Sequence, residues 1–107
     1  MAVKNINTQE FQTLIHGDKP VLVDFWAPWC SYCRRIAPAY DRVGEDFTDT
    51  LEVTKLNIDE EPQIANQERI EVIPTLVLYR GGKAIGSIVA PESKAMIDTF
   101  IRETLNP

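Results

Sequence analysis

Val21-Leu22-Val23-Asp24-Phe25-Trp26-Ala27 leads directly into Pro28-Trp29-Cys30-Ser31-Tyr32-Cys33. The stretch from Val21 to Ala27 is continuously apolar apart from Asp24, the pattern of a central strand covered on both faces. The cysteines follow at once and open the longest helical candidate, Cys30 to about Phe47. A Cys-X-X-Cys pair at a helix start has two consequences. One turn brings the sulfurs close enough to close a small-ring disulfide. The first cysteine also faces backbone N–H groups without intrahelical partners, and these, with the helix dipole, stabilise a thiolate, the nucleophilic form. Arg34 and Arg35 either add positive potential or are simply solvated. Cys30 reads as the attacking thiol and Cys33 as the resolving thiol. Pro38 falls inside the helix and is expected to kink or divide it.

Further strands are expected at about Glu52 to Ile58 and Thr75 to Tyr79. Arg80-Gly81-Gly82-Lys83 is a tight-turn signal that folds the latter back onto a strand at Lys83 to Val89. A helix from Thr8 to His16 follows Asn7, a good N-cap, with Glu10 placed to complete a capping box. Pro62 suits the first turn of a short helix reaching about Glu68. A last helix, Ser93 to about Leu105, is expected to bury Met96, Ile97, Phe100, Ile101 and Leu105 on one face. Helices alternating with strands that end in a hairpin predict an α/β fold, a mixed sheet with helices on both sides.

The 107 residues are enough for one domain with one core, residues 1–107, and too few for two. Lys and Arg number 11 against 16 Asp and Glu, a net charge of -5 that argues against nucleic-acid or anionic-membrane surfaces. With two cysteines and one histidine the chain is not a disulfide scaffold or an intrachain zinc finger. It also lacks the apolar run of a membrane span. Met1-Ala2-Val3-Lys4-Asn5-Ile6-Asn7 has no apolar stretch of the kind a secretory signal needs, so a cytoplasmic location is the expectation. A removed signal replaced by Met would look the same.

Two alternatives to redox chemistry stand beside the cysteine pair. A static bridge is uncommon in cytosolic chains, and a ring this small restrains the unfolded chain little. Zinc wants four ligands where the chain offers two adjacent thiolates and a distant His16, so metal would need a cluster shared between two chains. Asp24, charged and unpaired in an apolar strand, would be costly. Either its pKa is raised, a partner is near, or a bend leaves it exposed. His16 reads as a surface residue at a helix end, and Glu60-Glu61 and Asp46 with Asp49 as solvated faces. Trp26 reads most simply as packing beside the site; Trp29, at the loop tip, belongs either to an apolar contact surface or, as the default for both tryptophans, to the core.

Val23-Asp24-Phe25-Trp26-Ala27-Pro28-Trp29-Cys30, Ile36-Ala37-Pro38, Lys55-Leu56-Asn57-Ile58-Asp59 and Ile73-Pro74-Thr75 together resemble the thioredoxin family in order and spacing, over essentially the whole chain. The resemblance implies the thioredoxin fold and reduction of protein disulfides. It implies a buried Asp24 that moves a proton to or from Cys33 through water, with Lys55 close by. A cis Ile73–Pro74 bond packed against the cysteines is implied too, with the Ile73 backbone free to pair with an extended substrate. Trp29, Ile73, Pro74 and Ala90, with Pro91, would form the substrate-facing surface. No bound cofactor or metal is required. Electrons would come from an NADPH-dependent reductase, and a monomer is expected.

Two stretches depart from the family pattern. Ser31 and Tyr32 stand where Gly-Pro is usual, which restores a backbone N–H near the sulfurs and should make the disulfide more oxidising. At Tyr32 alone the chain resembles glutaredoxin, but the Trp29 and Pro38 contexts do not. Val89-Ala90-Pro91-Glu92 replaces a loop that commonly holds Gly, reshaping the groove. Two other functions follow from these changes: an oxidase or isomerase with a raised potential, or a binding module whose redox activity is incidental.

Overall fold

The computed structural model describes residues 3–106; Met1, Ala2 and Pro107 lie outside the described residues, and with them part of the leader reading. The order is β1 (Val3–Asn5), α1 (Thr8–Ile15), β2 (Val21–Trp26), α2 (Ser31–Asp46), β3 (Glu52–Asn57), α3 (Pro62–Gln67), β4 (Thr75–Arg80), β5 (Lys83–Val89) and α4 (Lys94–Leu105). The five strands form one sheet in the order β1-β3-β2-β4-β5. β1 and β2 run parallel to β3, whereas β4 is antiparallel to both β2 and β5.

β2 is the central strand because both its faces are sealed: Val21 through Phe25 are all buried. The period of two sends Val21, Val23 and Phe25 into a core with Phe11, Ile15 and Ile64 of α1 and α3. It sends Leu22 to the opposite core, with Ile36, Tyr40 and Val43 of α2 and Ile97 and Ile101 of α4. Asp24 therefore points toward α2. The ladder pairs Asp24 with Lys55 on β3 and Leu76 on β4, two residues short of the end of β2 that leads to α2.

The Asn7–Glu10 capping box forms as the sequence predicts, with each side chain accepting from the other's backbone N–H. Three expectations are corrected. Of the two outcomes expected at Pro38, a kink or a division, division does not occur: α2 runs as one helix with Ile36, Tyr40 and Val43 buried around the proline. Burial of that face outweighs the single N–H that proline lacks. Met96 is 48% exposed, because Ile97 and Ile101 supply the buried stripe of α4 and Phe100 and Leu105 pack only partly. Glu61 is not simply solvated: its carboxylate accepts from the Thr8 N–H at 2.8 Å and hydroxyl at 2.6 Å, tying α3 to the start of α1. Asp46 lies exposed as read, where it takes the Lys94 ammonium at 2.7 Å. The strand at Val3–Asn5 has no counterpart in the sequence reading.

Candidate active site

β2 delivers the chain through Ala27-Pro28-Trp29 to Cys30, the N-cap of α2. The Cys30 Sγ accepts the Cys33 backbone N–H at 3.1 Å, so the sulfur occupies the place of a capping oxygen. Cys30 and Cys33 form a disulfide with Cα atoms 5.3 Å apart. The donor that reaches this sulfur is the Cys33 N–H and not the restored N–H of Tyr32. The Cys33 amide is the third residue on from the cap, one of the two positions that a cap side chain reaches. Arg34, exposed, donates to the Pro28 carbonyl at 2.5 Å and fastens the approach loop to the helix. Arg35 lies 5.9 Å from the centre of the Tyr32 ring.

Behind Cys33, a cavity of about 200 Å³ is lined by Asp24, Trp26, Arg34, Ala37, Tyr40, Asp41 and Lys55, with Cys33 itself. It is polar enough and large enough to hold water. Asp24 is 3% exposed, and its Oδ1 has no hydrogen-bond partner among the described residues. Burial pushes its pKa up from 3.8 to about 7, against the attraction of the Lys55 charge. The Lys55 ammonium sits 4.8 Å over the centre of the Trp26 ring. Trp26 is further held by its indole N–H, which donates to the Asn5 side chain at 3.3 Å.

Tyr40 was not singled out by sequence. Its hydroxyl donates to the Thr54 carbonyl at 2.5 Å beside Asp24, and burial holds its pKa well above the ordinary value, with the Asp24 charge adding to the shift. The signal was available, because Tyr40 lies two turns beyond Cys33 on the same helix face.

The outer rim comes from two loops. The Ile73–Pro74 bond is cis, as the resemblance implied, and the Ile73 carbonyl oxygen lies 3.9 Å from the Cys30 Sγ. Ala90 adopts a left-handed backbone with φ 46°, and its N–H donates to the Pro74 carbonyl at 2.9 Å. Trp29 is 66% exposed, so core packing does not account for it. Its indole N–H donates to Asp59 at 2.9 Å, which ties the ring to the rim; the sequence motif contains Asp59 and assigns it no role. Ser31 is exposed, and the Tyr32 hydroxyl donates to the Pro91 carbonyl at 3.0 Å. His16 is exposed at the end of α1, away from the site. Among the described residues no group of three His, Cys, Asp or Glu is placed to hold a metal, and no helix is long and apolar enough to cross a membrane.

A disulfide pair capping a helix, beside a buried carboxyl and under a cis-proline loop, defines a thiol–disulfide oxidoreductase. The thioredoxin family model matches residues 2–103. The chain is 39% identical over 104 residues to the thioredoxin of Alicyclobacillus acidocaldarius, covering 97% of this chain and 99% of that one. It is 40% identical over 102 residues to the M-type chloroplastic thioredoxin of Chlamydomonas reinhardtii, covering 94% and 73%. The crystal structure of Malassezia sympodialis thioredoxin superposes with a TM-score of 0.86 at 29% identity, over 95% of this chain and 93% of that one. The chain belongs to the thioredoxin family, and it exchanges disulfides through Cys30 and Cys33. Neither the oxidase nor the binding-module reading is favoured by these relatives. They include a bacterial and a chloroplastic thioredoxin, so family membership does not assign a compartment.

Proposed function

We propose that the protein reduces disulfides in other proteins, with Cys30 as the nucleophile and Cys33 as the resolving thiol. The observation that carries this assignment is the asymmetry of the pair: Cys30 Sγ caps α2 and receives the Cys33 N–H, whereas Cys33 lines the Asp24 cavity. The Cys30 thiolate attacks a substrate disulfide, forms a mixed disulfide and expels one substrate thiolate, which takes up a proton. The Cys33 thiol gives its proton to the Asp24 carboxylate and attacks the Cys30 sulfur. The second substrate thiolate leaves, and the Cys30–Cys33 disulfide remains. Two electrons pass to the substrate. With a pKa near 7, Asp24 exists in both forms at neutral pH and can take the proton and return it.

Lys55 tunes Asp24 through its charge. Trp29, Ile73, Pro74 and Ala90 face the substrate, whose extended chain pairs with the Ile73 backbone. Ser31 and Tyr32 tune the potential through their backbone. No cofactor or metal takes part. The oxidised pair is recharged by an NADPH-dependent thioredoxin reductase, and residues 1–107 act as one domain, a cytoplasmic monomer.

Trapping with Cys33→Ser tests this directly. The variant should hold lysate proteins as mixed disulfides on Cys30, released by dithiothreitol, while Cys30→Ser holds none. An absence of adducts from Cys33→Ser would overturn the reading.

A further inference from the structure

Tyr32 stands between the two cysteines, yet its hydroxyl bonds a residue 59 positions away, the carbonyl of Pro91 at 3.0 Å. The ring packs against the core that α2 and α4 share and lies 5.9 Å from the Arg35 guanidinium, so ring and hydroxyl are both held. At the far end the chain is in an unusual state. Ala90 has φ 46°, a conformation in which a Cβ is unfavourable and which glycine would adopt freely. The following Pro91, itself buried, further restricts what Ala90 can adopt. Such a conformation persists only where its surroundings over-determine it.

Two hydrogen bonds do so, one on each side of the strained residue. The Ala90 N–H donates to the Pro74 carbonyl at 2.9 Å, and the Pro91 carbonyl accepts from Tyr32. Pro74 is joined to Ile73, whose carbonyl oxygen lies 3.9 Å from Cys30 Sγ. The contacts thus close a ring around the Cys30 sulfur: Cys30, Ile73–Pro74, Ala90–Pro91, Tyr32 and back to α2. Removing the hydroxyl opens that ring at one point and leaves the sulfurs and the cap untouched.

We propose that Tyr32 is a specificity-determining residue, whose hydroxyl on the Pro91 carbonyl holds the Ala90–Pro91 turn as a preformed wall for the polypeptide flanking a scissile disulfide. The proposal rests on the reading above that Ile73 and Ala90 face the substrate. A small disulfide needs only the Cys30 sulfur and gains nothing from the wall. A protein disulfide must lie along it, and binds more weakly if the wall has first to be ordered.

The test is Tyr32→Phe, which keeps the ring and every backbone N–H. Reduced protein is reacted in single turnover with insulin and with glutathione disulfide, and Ala90 amide exchange is followed by NMR. The half-saturating insulin concentration should rise about three- to tenfold, the effect of one hydrogen bond, with the limiting rate unchanged. The Ala90 amide should exchange faster by a similar factor. The rate with glutathione disulfide and the potential of the couple should not change. Ala90→Asp, which suits a left-handed backbone and puts a charge on the wall, separates the two layers of the argument. If Ala90→Asp weakens insulin binding and Tyr32→Phe does not, the role of Tyr32 is overturned and the substrate face stands. If neither changes it, both are overturned. A shifted potential with equal slowing on both substrates would also overturn the proposal, making Tyr32 only a redox tuner.

Discussion

Asp24 and Asp98 each have an Oδ1 that is buried without a hydrogen-bond partner among the described residues, but their other surroundings differ. The Oδ2 of Asp98 takes the Lys94 ammonium at 2.7 Å, and the same ammonium reaches Asp46 at 2.7 Å, so the group ties α4 to the end of α2. Asp24 has no such contact. Its cross-strand partner Lys55 places its ammonium over the Trp26 ring, near enough to act through charge alone. A buried carboxylate held by an ammonium is part of the scaffold; one left without a partner beside a thiol is free to change its proton. The difference separates structure from chemistry within a single small protein.

Replacing Asp24 with Asn should have the largest effect, and on stability. The folded-state pKa of about 7 lies above the ordinary 3.8, so the folded state binds the proton more tightly than the unfolded chain. The resulting stability is present in full below about pH 4. It falls as pH rises from there to about 7 and is constant above, a loss of roughly 4 kcal/mol at 1.36 kcal/mol per pKa unit. Asp24→Asn should therefore stabilise the disulfide form by up to that amount at pH 8 and little at pH 4, as urea unfolding at the two pH values would show. An equal gain at both would break the comparison.

The same substitution should slow resolution of a Cys30 mixed disulfide about a hundredfold at neutral pH, the scale of losing one proton-transfer group. In the parent protein that step should speed up as pH rises through about 7 and Asp24 ionises; in the variant stopped-flow traces should show no such rise. Asp98→Asn should act in the opposite sense on stability, lowering it only slightly because the Lys94 contact is open to solvent, and leave exchange rates unchanged. Lys55→Met should have the smallest effect. It removes the one influence that lowers the Asp24 pKa, so the midpoint should move upward from about 7, measurable by NMR.

Much of this was legible in the sequence because it depended on neighbours. The apolar run from Val21 to Ala27 with one carboxylate, the cysteine spacing and the Asn7–Glu10 box are local patterns, and each folds as read. What was not legible depends on contacts between distant residues. Val3–Asn5 offers only one buried side chain, and it is a strand because β3 lies beside it. Trp29 is turned outward by Asp59, thirty positions on. Tyr32 reads by itself as a change in the backbone between two thiols; its bond to Pro91 exists only once β5 has returned to the site. Pro38 shows the reverse error, a local rule overridden by the burial of Ile36, Tyr40 and Val43 around it.

The measurement that bears most directly on the account is a carboxyl-carbon NMR titration of Asp24 in the disulfide form. A midpoint near 7 is predicted, with the resonance of Asp24 shifting as the cavity beside Cys33 changes charge. A midpoint near 3.8, the ordinary value, would mean that Asp24 is ionised throughout the neutral range and holds no proton to return, and would contradict the account.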